Sequence, residues 1–313
     1  MDLAIELSAV IVTVKAGDAC VLCLNLPGGA ASPAFALPSG PFVPQAHRTF
    51  DLALRAFVGA QTGFDIGYVE QLYSFGDEGR QAVAPPQPGG ERIVSIGYLA
   101  LTPQGAFQAP VQASWVPFQR FFPWEDWRSG HAALDALRAP LQAWSERPAD
   151  AASRGLRRRR VETLFPVDAD HWADHWNEER VLDRYELLYD AGLVAESGGG
   201  QDQAHSGEAM ASDHRRIVAT GLSRLRGKVK YRPVIFELMP GRFTLSELQK
   251  SLEGIAGLRL HKQNFRRALE RTGFVQPLGE MREDTGGRPA ELYAYDRDRY
   301  RFSPSLGLSL PRA

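Results

Sequence analysis

Apolar and polar positions divide the chain into three stretches of different texture. The first is strand-like. Two apolar runs open it, LSAVIVTV and CVLCLNLP, and a helix-like stretch from Thr49 to Gln61 stops before Gly63. IGYVEQLYSF and RIVSIGYLALT follow as further strands. Between them QAVAPPQPGGE, rich in proline and glycine, predicts a loop. After Pro103 the pattern changes. ASWVPFQRFFPWEDW is aromatic and is expected to pack against the first domain. HAALDALRAPLQAW reads as a helix until Pro140 interrupts it. VLDRYELLYDAGL places Val181, Leu182, Tyr185, Leu188 and Tyr189 on one helical face. SGGGQDQAHSGEAMAS is polar and glycine-rich and predicts a mobile loop. A helix from about Asp213 to Arg226 closes this middle stretch.

The last stretch is the most regular. Arg232 to Met239 is a short apolar helix candidate ending before Pro240 and Gly241. Thr244 and Glu247 have the spacing of a capping box, in which each side chain bonds the other residue's backbone amide. Behind it Leu245, Leu248, Leu252 and Ile255 share one helical face. A break at Gly257 leads to a third helix, His261 to Thr272, with Phe265, Ala268 and Leu269 inward and Gln263 and Arg267 outward. Two strand-like pieces, GFVQPLGEM and AELYAYD, are joined by REDTGGRP, where Gly286 and Gly287 allow a tight turn. Three helices and a two-stranded hairpin make a winged helix-turn-helix, whose third helix enters the major groove of DNA.

Charge changes the picture. The whole chain carries a formal charge of −1, which alone argues against a nucleic-acid binder. From Arg226 to Ala313, however, there are 17 Lys and Arg against 10 Asp and Glu, while the first 225 residues hold 19 against 27. The basic residues are concentrated where the winged helix is predicted, the footprint of a DNA-binding module on an acidic partner domain. The candidate DNA contacts are Lys262, Gln263, Asn264, Arg266 and Arg267 on the third helix and Arg288 on the wing. No run of about 18 apolar residues exists, so no membrane-spanning helix is expected. The start, MDLAIELSAVIVTVKAGD, reads as a strand rather than a signal peptide, and the cytoplasm is the expected location. The cysteines, Cys20 and Cys23, lie in an apolar run with no partner for a zinc site, and are read as buried packing residues.

YRPVIFELMPGRFTLSELQKSLEGIAG, LHKQNFRRALERTGFV and TGGRPAELY resemble the C-terminal half of the Nudix-related transcriptional regulators called NrtR, over about 100 residues from DHRRIVATGLSRLRGKVKY onward. The resemblance implies an N-terminal Nudix-like α/β/α sandwich. In keeping with it, FALPSG stands where Nudix proteins enter their motif, and Thr62-Gly63-Phe64 where the motif ends. An active Nudix box carries an R-E-x-x-E-E core whose carboxylates hold divalent metal. Counted back from Gly63, this chain reads Ala56-Phe57-Val58-Gly59-Ala60-Gln61, so every acidic position is neutral. The spacing from Gly40 is also about two residues longer than the pattern. The long insertion, with VLDRYELLYDAGLV, resembles the NadQ branch of alphaproteobacterial NAD regulators.

These readings combine into an α/β protein with a winged helix. Residues 1–228 form a Nudix-like nucleotide-sensing domain with a helical insertion at about 130–210, and 229–313 form the DNA-binding domain. The resemblance implies a repressor of NAD-metabolism genes controlled by ADP-ribose, NAD or ATP. DNA-bound regulators usually act as symmetric dimers on palindromes, so a homodimer on a palindromic operator is expected. The neutral stretch at 56–61 predicts no catalytic residues, cofactor or metal. The competing classes are an active Nudix pyrophosphohydrolase with an attached DNA-binding domain, and a scaffold that uses the winged helix for protein contacts. Arg48, Arg55 and Arg92 are candidates for the effector's phosphates, and Phe75 and Tyr98 for stacking its base. His171 and His175, with Asp168, Asp170 and Asp174, have a spacing that can hold metal, but further ligands are missing. Arg157 to Arg160 read equally as a phosphate-contacting patch or a solvated linker.

Overall fold

The computed structural model describes residues 3–27, 33–77, 92–103, 112–148, 150–166, 176–198, 206–283 and 289–296. β1 (Leu3–Lys15) and β2 (Asp18–Asn25) form a hairpin, with Val12 opposite Val21 and Lys15 opposite Asp18. Ala16 and Gly17, with φ of 54° and 88°, make its two-residue turn. Positive φ at both positions matches the twist of the flanking strands. β3 (Phe35–Ala36) pairs β2, and β4 (Ser39–Pro41) pairs β1. After α1 (Phe50–Thr62) come β5 (Tyr68–Phe75), β6 (Arg92–Leu101) and β7 (Ala113–Pro117). β6 runs parallel to β1, β5 lies antiparallel outside β6, and β7 pairs β2.

Helices cover both faces of this mixed sheet. α1 buries Ala53, Leu54 and Val58 against Leu7, Ile11, Leu22 and Ile96. After α2 (Phe118–Phe121) the chain makes a 3₁₀ turn at Pro123–Glu125. It then builds α3 (Ala132–Glu146), α4 (Ala151–Leu164) and α5 (Val181–Asp190). α6 (His214–Tyr231) returns across the opposite face, over Val10, Val12, Leu72 and Phe75. Two glycines permit that approach. A Cβ on Gly221 would lie 2.9 Å from the Val10 side chain, and one on Gly97 2.9 Å from Ile217. Beyond α6 come a 3₁₀ turn (Val234–Glu237), β8 (Phe243–Thr244), α7 (Leu245–Ala256), α8 (Lys262–Thr272), β9 (Val275–Arg282) and β10 (Ala290–Tyr295). The second sheet has the order β8-β10-β9.

Several expectations need correction. Pro140 does not end its helix, because Leu134 and Leu137 before it and Leu141 and Trp144 after it are buried on one face, and that packing outweighs one lost backbone bond. The Arg157–Arg160 run belongs to α4 and braces its neighbours. Arg158 pairs with Glu146 at 2.5 Å and Arg160 with Asp190 at 2.6 Å, while Arg157 stacks over the Trp144 ring. Residues 232–239 give only a 3₁₀ turn, and α6 runs on to Tyr231 to supply the first long helix beside α7. The wing is three-stranded, since β8 pairs β10. Within the expected mobile loop, residues 206–212 are fixed: Met210 bridges Phe35, and Ser206 accepts a bond from the buried Arg215. The remainder of that loop and the His171 and His175 cluster lie outside the described residues.

Candidate functional site

α8 presents the strongest candidate surface. Gly257, at φ 71°, caps α7, and Leu260 anchors the turn inside the core. Phe265 and Leu269 then bury one side of α8, which leaves Lys262, Gln263, Arg266, Arg267, Glu270 and Arg271 exposed and Asn264 half-buried. Several arginines elsewhere are consumed by structure. Arg128, Arg184, Arg216 and Arg226 all hold carboxylates. Among the described residues, Lys262, Arg266, Arg267 and Arg271 hold none. Four cations left open on the exposed side of one helix, with Glu270 among them, have the charge to meet an extended polyanion. Glu247 secures the helix behind them. Its carboxylate accepts from the Thr244 amide at 2.8 Å and binds Arg282 of β9. Arg288 lies outside the described residues.

The face of α1 is different. Thr49 caps the helix by accepting from the Leu52 amide at 3.2 Å, and Gly63 closes it at φ 69°. Ala56, Ala60 and Gln61 are exposed at positions where an active Nudix helix carries its charged groups. Phe57 packs on Gly40, whose added Cβ would lie 3.0 Å from the ring. Gln61 donates to the Ser39 carbonyl at 2.6 Å. The carboxylate on this helix, Asp51, pairs with Arg55 at 2.9 Å. No group of three His, Cys, Asp or Glu among the described residues could hold a metal ion. These residues do not fit a divalent metal cluster.

The candidate effector residues divide. Arg55 is committed to Asp51 and to the carbonyls of Ile66 and Gly67. Tyr98 lies on the same face of the sheet, its hydroxyl 3.5 Å from Gln71 Oε1. Burial, and then the Asp51 carboxylate, raise its phenol above the ordinary tyrosine value. Tyr98 thus lies buried on the sheet face that α1 covers, and Asp51 and Arg55 pair on α1 itself. Arg48 is exposed just ahead of α1. Arg92 opens β6, and its side chain lies outside the described residues. Phe75 is a correction. It is 1% exposed on the opposite face, beneath α6 with Arg216 over its ring, so no face remains for a base. Cys20 and Cys23 are buried and free, and burial, with Asp18 adding to it, pushes the Cys20 thiol up to about 11.

Sequence reasoning missed one constellation. Glu125 is buried between Arg184, at 2.5 and 2.8 Å, and Arg226, at 2.6 Å. It joins the turn after β7, the inserted α5 and α6. No local pattern marks it, since its members are 59 and 101 residues away along the chain.

Residues 235–295 match the family model described as the NrtR DNA-binding winged helix domain. The match covers the C-terminal winged helix alone, from the 3₁₀ turn at Val234–Glu237 to the end of β10. A curated relative, the ADPR responsive transcriptional repressor NtrR of Acinetobacter baylyi, is 36% identical over 103 residues, 33% of this chain and 41% of that protein. The match thus spans about two fifths of the relative's length. NrtR of Shewanella oneidensis, solved with a 27mer DNA, superposes with a TM-score of 0.56 at 18% identity, covering 98% of this chain and 99% of the other. A MutT/nudix family protein from Enterococcus faecalis gives 0.52 at 16%, covering 95% and 87%. Over nearly its whole length the chain shares the fold of the Shewanella protein.

Proposed function

We propose that the chain is a transcriptional repressor of NAD-metabolism genes, whose NrtR winged helix binds DNA and whose Nudix-like domain binds an adenine nucleotide without hydrolysing it. The open cationic face of α8, on a domain of the NrtR DNA-binding family, carries this reading. The Acinetobacter relative is named as a repressor responsive to ADPR, and the Shewanella protein was solved on DNA. ADP-ribose is therefore the first effector to test, ahead of NAD and ATP. In this reading 1–228 senses and 229–313 binds, with 130–210 inserted in the sensor. Lys262, Gln263, Asn264, Arg266, Arg267 and Arg288 face DNA, while Arg48, Arg55, Arg92 and Tyr98 serve the nucleotide. The regulator works as a homodimer on a palindrome in the cytoplasm, and needs no cofactor. The neutral residues at 56–61 leave a metal-dependent hydrolysis without ligands.

An operator selected from a random duplex library, followed by fluorescence anisotropy, tests this directly. Saturable binding that weakens steeply with salt is expected. ADP-ribose should change operator affinity by about 5–150-fold, with no product released in magnesium or manganese. Binding that no nucleotide alters would overturn the sensor reading, and metal-dependent turnover would restore the hydrolase.

A further inference from the structure

α7 meets the N-terminal part of the chain through two close backbone contacts, one with the β1–β2 turn and one with the 3₁₀ turn at Pro123–Glu125, and both leave room only for glycine. Gly254 sits in the last full turn of α7. A Cβ there would run into the Gly17 carbonyl and lie 3.1 Å from the Ala19 nitrogen, so the β1–β2 turn rests directly on the helix. Gly257 ends α7 in the left-handed region, and a Cβ there would collide with the Glu125 carbonyl. Its own carbonyl accepts from the Trp127 amide at 2.7 Å.

Residues 125–128 tie these contacts together. The Arg128 guanidinium donates to the Gly17 carbonyl at 2.9 Å, to Asp18 at 2.6 Å and to Asp126 at 2.7 Å. The Arg128 carbonyl accepts from Arg259, two residues before the α8 cap, at 2.8 Å. Arg226 of α6 donates to the Ile255 carbonyl at 2.8 Å and to the Glu125 carboxylate at 2.6 Å. One four-residue strap thus touches the hairpin turn, α6, the end of α7 and the approach to α8. Backbone in contact with backbone cannot shift by rotating a side chain, so the position of α8 follows the position of the strap and the turn.

We propose that this strap and the β1–β2 turn form the joint that positions the recognition helix, and, resting on the function proposed above, that a nucleotide on the sheet acts on DNA binding by shifting it. Residues 125–128 act as positioning residues here, since they set where the groups that meet DNA stand.

A reversible lock tests the joint. The Lys250 β-carbon lies 3.6 Å from the place of a Gly17 Cβ, within the range a disulfide spans. In Gly17→Cys/Lys250→Cys, oxidation should reduce the response of operator affinity to ADP-ribose from about 5–150-fold to under about twofold. Reduction with dithiothreitol should restore it; because Gly17 has φ 88°, where a side chain is strained, the reduced double variant is the reference for the oxidised one. A full response in the oxidised form overturns the proposal. The wild-type chain, assayed in parallel, reports on the function itself. If it shows no response, the nucleotide-sensor reading fails, and the joint is judged by Gly254→Ala without nucleotide. That change should push the turn off α7 and accelerate amide exchange in α8 by about tenfold or more, with exchange in β1 and β6 unchanged. Equal α8 exchange in Gly254→Ala and wild type also overturns it.

Discussion

Glu125 shows how much depends on single buried charges. Burial opposes its ionisation, but Arg184 and Arg226 outweigh burial and hold the carboxyl below the usual range. Removing it strands two guanidinium groups in the interior. Glu125→Ala should therefore cost about 3–5 kcal/mol, read from urea unfolding; a loss under about 1 kcal/mol would mean water reaches the site. His214 is the reverse case. Its Nδ1 accepts from the Leu37 amide at 3.0 Å, and burial lowers its pKa from 6.5 to about 4. Between those values the unfolded imidazole binds a proton that the folded one does not. Stability is thus full above about pH 6.5 and falls toward pH 4, by up to about 3 kcal/mol. Thermal unfolding at pH 7.5 and pH 5 should show the drop, and His214→Gln should flatten it. Arg267→Ala, at an open cation, should leave stability unchanged and cost about 1–3 kcal/mol on the operator. An anisotropy titration matching wild type would mean that α8 does not read bases.

At the scale of elements, α7 and α8 behave as their sequences require. Thr244 accepts from the Glu247 amide at 3.2 Å, and the Glu247 carboxylate accepts in return. Thr244→Ala should lose about 0.5–2 kcal/mol of stability in denaturant titration, and an unchanged midpoint would show that β8 pairing alone starts the helix. Leu248, Leu252 and Ile255 are buried as their spacing predicts, and Phe265 and Leu269 likewise. Elements failed where long-range packing prevailed over local signals. Pro140 is a helix breaker by its own chemistry, yet buried leucines on both sides carry α3 through it. The arginines of α4 read equally as a phosphate patch or a linker because their partners, Glu146 and Asp190, come from other helices.

Among the described residues the larger of two buried clusters runs from the first sheet to the winged helix, and the smaller lies under α1. Val12 and Val21 of the first sheet, Trp124, Leu188 of the insertion, and Leu248 and Phe265 of the winged helix belong to the same buried cluster. Calorimetry should accordingly show a single cooperative transition; two separate ones would mean that the winged helix melts alone. What the sequence determined by itself was whatever is written locally: the apolar runs of β1 and β6, helical spacing in α7 and α8, the Thr244 and Glu247 box, the neutral stretch 56–61, and basic residues concentrated after Arg226. Those features follow from backbone periodicity and side-chain charge, which act between near neighbours. Only the tertiary structure decided the rest. It placed Phe75 under α6 instead of beside Tyr98, because a bulge between Gln71 and Ser74 shifts the facing of β5. It also assembled Glu125, Arg184 and Arg226, and set Gly254 against Gly17, contacts that exist only once segments far apart in the chain have packed.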